Sequence, residues 1–311
     1  MNNIDKYVQY ETKHTELMKM INNMTGGSKF KIIVDEPKLK YVKYNGKNNI
    51  HIINTIDNDN LHEFSEFMIG SIAKIFTAML IVILNDKNIL NVNDSVGEYI
   101  ESNKDNDFQN ITINDLINHT GGIMWYLTYK DIPSQYKIVH TSTVALEIFM
   151  TKPLCVSKKG IKKYSSMGYV ILGAIIEKVT NMSYIDALKF YILDPCKMYD
   201  TNIGEPNITI YNNNVALEDS EIKEQLMEKY MVNAGGGLYS CVADMLNFVK
   251  YIPKILTPAQ IKRCYGFREN NTITHGGSIY GGSANFKVEY TTKWKIKMIS
   301  IEFSTWTELD Y

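Results

Sequence analysis

The stretch FMIGSIAKIFTAMLIVIL, residues 67–84, is hydrocarbon almost throughout, interrupted by one glycine, one serine, one threonine and one lysine. An apolar run of this kind reads as a helix buried on all sides. An ammonium in that setting is costly unless its protons are accepted or one is given up. Lys74 therefore asks for a function, and Ser71, three residues earlier, shares its helix face. Gly70 lets the chain enter the helix sharply, and the helix N-terminus offers unpaired N–H groups to a developing oxyanion. A serine nucleophile needs a neighbouring base, donors for the anion and exclusion of water. A desolvated lysine, lowered toward neutrality, would serve as the base. The same two residues also read more simply, as an N-cap serine and a lysine snorkelling from a helix end. S-x-x-K occurs four times, at Ser28/Lys31, Ser71/Lys74, Ser134/Lys137 and Ser220/Lys223, and only the second opens a buried helix.

Outward from this helix, residues 3–24 carry an amphipathic pattern that stops at Gly26-Gly27. FKIIVDE, LKYVKYN and NIHIINTI follow as strand-like runs separated by Pro37 and Asn45-Gly46, which predicts a small antiparallel sheet. Beyond residue 84 the spacing predicts helices at 112–118, 142–150, 167–179, 184–191 and 219–230. Strand alternation returns in SANFKVEYT and KWKIKMISIEF, which flank Thr292-Lys293 as a terminal hairpin would. The expected architecture is α/β (α+β): an antiparallel sheet flanked by helices, built from residues 1–85 and 235–311, plus an all-helical subdomain at 86–234. The active site is expected between the two.

With 311 residues, 45% hydrophobic and 22% charged, the chain can bury a large core, and a net charge of -1 gives no electrostatic footprint for nucleic acid or an anionic membrane. Cys155, Cys196, Cys241 and Cys264 form no C-x-x-C pair, so buried free thiols are expected, with no metal site, cofactor or disulfide framework. The first residues lack the apolar stretch of a signal peptide and 75–84 is too short to span a bilayer, which points to a reducing, cytoplasmic location. Heavy use of Asn, Ile, Lys and Tyr suggests an AT-rich coding sequence.

Two further segments bear on Ser71. KKYSSMGYVILGAIIEKV, residues 162–179, places Tyr164 just before a second apolar helix with Ser165 or Ser166 at its cap. ITHGGSIYGGSANFKVEY, residues 273–290, is glycine-rich and runs into strand alternation. In order, S-x-x-K, Y-S-x at a helix head and H-G-G beside a strand resemble the three motifs of the class C β-lactamase and D-alanyl-D-alanine carboxypeptidase family of penicillin-binding-protein-like serine hydrolases. ITINDLINHTGGI (111–123), LDPCKMYDTNIG (193–204) and NAGGGLYSCVADMLNFVKY (233–251) are similar to other stretches of that family, so the likeness covers most of the chain. His119-Thr120-Gly121 competes with His275-Gly276-Gly277 for the third motif. The former follows a short helix, where Gly121 or Gly122 would be a C-cap, and the latter precedes the terminal strands as the family's motif does; His275 is chosen.

The resemblance implies an acyl-enzyme on Ser71, with Lys74 in its proton network and Tyr164 relaying a proton to the leaving group. A phenol titrates near ~10, so Lys74 and His275 would have to supply the field that stabilises a phenolate. The backbone N–H groups of Ser71 and Ser278 would form the oxyanion hole. Gly276 and Gly277 would let substrate approach the strand, and Ser166 would hold the substrate's acyl amide. The family's asparagine is replaced here by Ser166 and its lysine by His275, whose attraction for a substrate carboxylate would fade as pH rises through its pKa. The implied substrate is a small ester, amide, β-lactam or D-amino-acid peptide, with efficient β-lactam hydrolysis doubtful. The STWTELDY tail is too short for the helix that the family packs on its sheet, so either the N-terminal helix covers that face alone or a partner does, and an uncovered apolar face would make the protein a homo-oligomer. The alternative is a catalytically weak penicillin-binding-like scaffold acting by binding or self-assembly, as the animal mitochondrial relatives do.

Overall fold

The computed structural model describes residues 29–33, 39–45, 49–53, 64–101, 108–123, 141–150, 159–204, 233–268, 270–279 and 282–304. Alternating sequence becomes strand at both ends of the chain. β1 (Lys29–Ile33), β2 (Leu39–Asn45) and β3 (Asn49–Ile53) come early, and β8 (Thr272–Ile279), β9 (Gly282–Tyr290) and β10 (Ile296–Ser304) late. With β7 (Phe267–Arg268) they form a seven-stranded sheet in the order β1-β3-β2-β10-β9-β8-β7. The two ends meet where β2 pairs antiparallel with β10, Val42 opposite Ile301. β9 and β10 form the expected terminal hairpin, with Trp294 in the left-handed region at its turn. One pairing departs from the antiparallel expectation: β1 lies parallel to β3. Three successive strands running up, down and up leave the first and third codirectional, so seating β1 beside β3 makes that pair parallel.

The apolar run of residues 67–84 forms β4 (Phe67–Met68), a 3-10 turn (Gly70–Ile72) and helix α1 (Ala73–Asp86). Every residue from Ala73 to Leu84 is buried, because α1 lies between the sheet and the other helices. Phe76 packs on Phe248 of helix α7 (Val242–Ile255) at 4.7 Å between ring centroids, and Phe248 in turn meets Phe286 of β9 at 6.0 Å. The helices expected at 112–118, 142–150 and 167–179 are α2 (Ile113–Ile117), α3 (Ser142–Met150) and α4 (Ser166–Thr180). That at 184–191 is α5 (Tyr184–Leu188), continued by a π-helical turn at Lys189–Leu193. The helices expected at 3–24 and 219–230 lie outside the described residues. Several elements were not anticipated, α7 and β7 among them. A second sheet runs β4-β6-β5, with β5 at Asn202–Ile203 and β6 at Leu238–Ser240. Helix α6 (Asn233–Gly236) is a single turn, and α8 (Pro258–Arg263) starts from the Thr257 capping box with proline in its first turn.

Glu177 of α4 joins the starts of two other helices. Its carboxylate accepts from Ser142 N at 2.9 Å, Thr143 N at 2.7 Å, Thr143 Oγ1 at 2.6 Å and Tyr184 N at 3.1 Å. A negative group at two helix N-termini is favourable, and without it buried N–H groups lose their partners. Glu177→Ala is therefore expected to destabilise the fold by about 2–4 kcal/mol in urea unfolding; a loss below about 1 kcal/mol would refute this reading. Cys196, Cys241 and Cys264 are buried free thiols, and burial pushes Cys196 and Cys264 up to about 12, where thiolate is scarce; Cys155 lies outside the described residues. Among the described residues no helix is long and apolar enough to cross a membrane.

Candidate active site

Ser71 sits in the turn between β4 and α1. Gly70 makes this turn with φ of +48°, a conformation that only glycine takes freely. Ile72, at the helix start, has no side-chain cap bond, so Ser71 is not an N-cap. Its hydroxyl faces two partners instead: Lys74 Nζ donates to Ser71 Oγ at 3.0 Å and Tyr164 Oη at 2.7 Å.

Lys74 does not snorkel: it is fully buried. Its ammonium donates to Ser71 Oγ, to Ser166 Oγ at 3.0 Å and to the Gly235 carbonyl, three acceptors for three N–H bonds. No carboxylate is among these partners, and burial lowers the group to about 7. The Tyr164 and Tyr169 rings lie 4.9 and 5.6 Å from Nζ. Gly235 belongs to α6, which is tied to α1 by Thr77: its hydroxyl donates to the Ala234 carbonyl at 2.6 Å and contacts Tyr184 Oη at 2.8 Å. A Cβ on Gly235 would stand 2.9 Å from the Ser166 carbonyl, so glycine permits α6 to approach α4.

Tyr164 precedes Ser165, whose hydroxyl caps α4 by accepting from Gly168 N at 3.1 Å. Ser166 is the first residue of the helix. Burial raises the Tyr164 phenol above its ordinary value, while hydrogen bonds with Ser71 and Ser166 work the other way. The phenolate expected from the resemblance is thus disfavoured, and the phenol stands as a proton donor to Ser71. Ser166 accepts from Lys74, so its hydroxyl belongs to the proton network rather than reaching out for an acyl amide.

His275 lies on β8, about one ring from Tyr164, at 6.4 Å between centroids. Its Nδ1 lies against the Gly276 carbonyl and its Nε2 is 3.0 Å from Tyr265 Oη. The carbonyl can only accept, so Nδ1 carries the proton and Nε2 accepts from the tyrosine. Burial lowers its pKa, with Lys74 and Arg268 adding to this, and the Gly276 bond opposes it. The attraction for a substrate carboxylate expected of His275 therefore fades at lower pH than for an ordinary histidine. Of the two neighbouring glycines, Gly276 is exposed and Gly277 is buried. A Cβ on Gly277 would collide with the Ile69 carbonyl oxygen and stand 2.9 Å from Ser71 N. Gly277 thus admits the protein's own turn, and the contact draws β8, with Ser278, alongside Ser71.

The competing His119 is also part of this neighbourhood. It follows the C-cap residue Asn118 and itself takes the left-handed conformation assigned above to Gly121 or Gly122, with φ of +60°; Gly122 takes it as well. His119 and Tyr265 were missed as site residues. Their only sequence signals were a histidine in a family-like loop and one tyrosine among 21. Asp200, Cys241 and Asp244 place donor atoms within 4.8 Å of one another, a geometry that metal sites share. Asp244 already accepts from Asp200 N at 2.8 Å and Thr201 Oγ1 at 2.7 Å, which makes the group a brace between β5 and α7.

A family model described as Beta-lactamase matches residues 56–290. The chain is similar to a penicillin-binding protein of Bacillus subtilis (strain 168), 32% identical over 145 residues, 45% of this chain and 31% of that protein. It is also similar to the teichoic acid D-alanine hydrolase of Staphylococcus aureus (strain MRSA252), 29% identical over 218 residues, 67% of this chain and 49% of that protein. The matches thus span half or less of these relatives' length. Among solved structures, a D-stereospecific amidohydrolase from Streptomyces sp. shares the fold with a TM-score of 0.64 at 19% identity, covering 86% of this chain and 89% of the other.

Proposed function

The chain belongs to the beta-lactamase family, and we propose that it hydrolyses a small ester or amide of a D-amino acid through an acyl-enzyme on Ser71. The observation that carries this reading is a buried Lys74, held near neutrality, with its Nζ 3.0 Å from Ser71 Oγ. Neutral Lys74 takes the Ser71 proton as Oγ bonds to the substrate carbonyl carbon. The backbone N–H groups of Ser71 and Ser278 hold the oxyanion. As the bond to the leaving group breaks, Tyr164 gives that group its proton and is resupplied from Lys74 through the Ser166 hydroxyl, which is hydrogen-bonded to both, and this leaves the base neutral. Water then enters by the reverse route and frees the acid.

The D-amino-acid preference is drawn from the relatives named above, two of which carry that stereochemistry or acyl group in their names. His275, its pKa lowered by burial and both its nitrogens engaged inside the protein, favours a leaving group without a carboxylate, hence an ester or simple amide over a peptide with a free C-terminus.

The test is a fluorophosphonate probe followed by intact mass. One adduct on the wild type and none on Ser71→Ala is expected; a folded wild type that takes no adduct would overturn the reading in favour of a scaffold. The labelling rate should climb with pH through about 7, because Lys74 acts only after losing its proton. A rate that is flat from pH 5 to 9 would remove Lys74 as the base.

A further inference from the structure

We propose that His119 is a positioning residue for this reaction, holding the Tyr164 loop at three successive residues so that the phenol hydroxyl stays on Ser71 Oγ. The inference rests on the serine hydrolase reading above. Lys163 N donates to the His119 carbonyl at 2.8 Å, the imidazole packs on the Tyr164 ring at 4.6 Å between centroids with the planes tilted by 35°, and Ser165 N donates to Nδ1 at 3.1 Å. One residue thus fixes the approach to Tyr164, its ring face and the start of α4. Tyr164 is 49% exposed, and beside its hydroxyl bond to Ser71 and the Lys74 ammonium 4.9 Å from its ring, the His119 imidazole is, among the described residues, the aromatic group packed nearest to it.

Ending α2 does not require a histidine. Asparagine or glycine takes the left-handed conformation with less strain than an imidazole. With Nδ1 accepting, the neutral ring carries its proton on Nε2, and that nitrogen is buried without a hydrogen-bond partner among the described residues. A strained backbone and an unpaired donor both weigh against histidine, and the aromatic face is what offsets them. The ring also meets Tyr169 at 5.3 Å and, edge-on, Tyr265 at 4.9 Å, so it is clamped from three sides. Burial, with Lys74 nearby, lowers His119 to about 4, so it supports Tyr164 without adding a second cation beside Lys74.

His119→Asn separates the ring from the rest, because asparagine tolerates the left-handed backbone and its Oδ1 can replace Nδ1 as acceptor for Ser165 N. On a chromogenic D-alanyl ester we expect kcat to fall about 10- to 100-fold with KM nearly unchanged. His119→Phe, which keeps the ring and loses the acceptor, should restore most of kcat despite a lower melting temperature. In a Tyr164→Phe background, His119→Asn should have no further effect, because it acts through the phenol. An equal loss in both backgrounds, or wild-type kcat in His119→Asn, would overturn the proposal. A second readout needs no turnover: the Tyr164 phenol, followed by NMR of carbon-13-labelled tyrosine, should titrate closer to its ordinary value in His119→Asn. If the wild type proves inactive, the hydrolase reading fails, and this titration still decides the placement of Tyr164. A shift supports His119 as its holder, and an unmoved titration refutes it.

Discussion

Ser71→Ala is expected to lower kcat by about a millionfold, and Lys74→Met by about a thousandfold or more, while the double variant is no worse than Ser71→Ala alone. A base contributes only by activating its nucleophile, so once Ser71 Oγ is gone the lysine has nothing left to do. Burst and steady-state rates on one ester substrate for the wild type and the three variants would check this. Additive losses would mean that Lys74 acts on something other than Ser71. Lys74→Met also has a signature in stability. In the folded protein burial lowers the ammonium to about 7, against 10.5 for an ordinary lysine. Between these values the unfolded chain holds the extra proton, so wild-type stability relative to Lys74→Met must rise with pH across this window. A constant difference between the two proteins from pH 7 to 10 would contradict the lowered pKa.

Most of the fold was legible because its signals are local. The helix expected over 71–84 reads from hydrocarbon content alone, although the apolar residues 67–68 before it form strand β4, and the late strands read from strict alternation. The small sheet that joins β4 to β5 and β6 was not legible, since its strands are two or three residues long and too short to show a period. Neither was the parallel seating of β1, because strand patterns specify faces and not neighbours.

The site divides along the same line. Ser71 and Lys74 declare themselves by a polar pair in an apolar run, and Tyr164 by its place before a helix. The third acceptor of Lys74 is a backbone carbonyl, and a carbonyl leaves no mark on the residue type at 235. His119 earns its place through contacts with residues 163–165, more than forty positions away, and a histidine after a short helix resembles any chain reversal. Charge states were the least readable. A Tyr164 phenolate required a stabilising field from Lys74 and His275, and burial moves both Tyr164 and His275 toward their neutral forms.

The second large effect concerns a hydrogen atom on Gly277. Gly277→Ala is expected to lower kcat by about a hundredfold or more, while Gly276→Ala, one residue away, stays within about tenfold of wild type. The new methyl on Gly277 would meet the Ile69 carbonyl and Ser71 N, and both are backbone, so no rotamer change relieves the contact. β8 must then move away from the turn that carries the nucleophile, which separates the two strand segments whose N–H groups are proposed to share the oxyanion. At Gly276 the nearest atom is Asn285 Oδ1 at 3.1 Å, the end of a side chain that can yield. Circular dichroism and thermal unfolding would show that both variants fold, and kcat with fluorophosphonate labelling would give the contrast. Equal effects at the two positions would mean that the register of β8 against Ser71 does not govern the chemistry, and the oxyanion hole would have to be sought elsewhere.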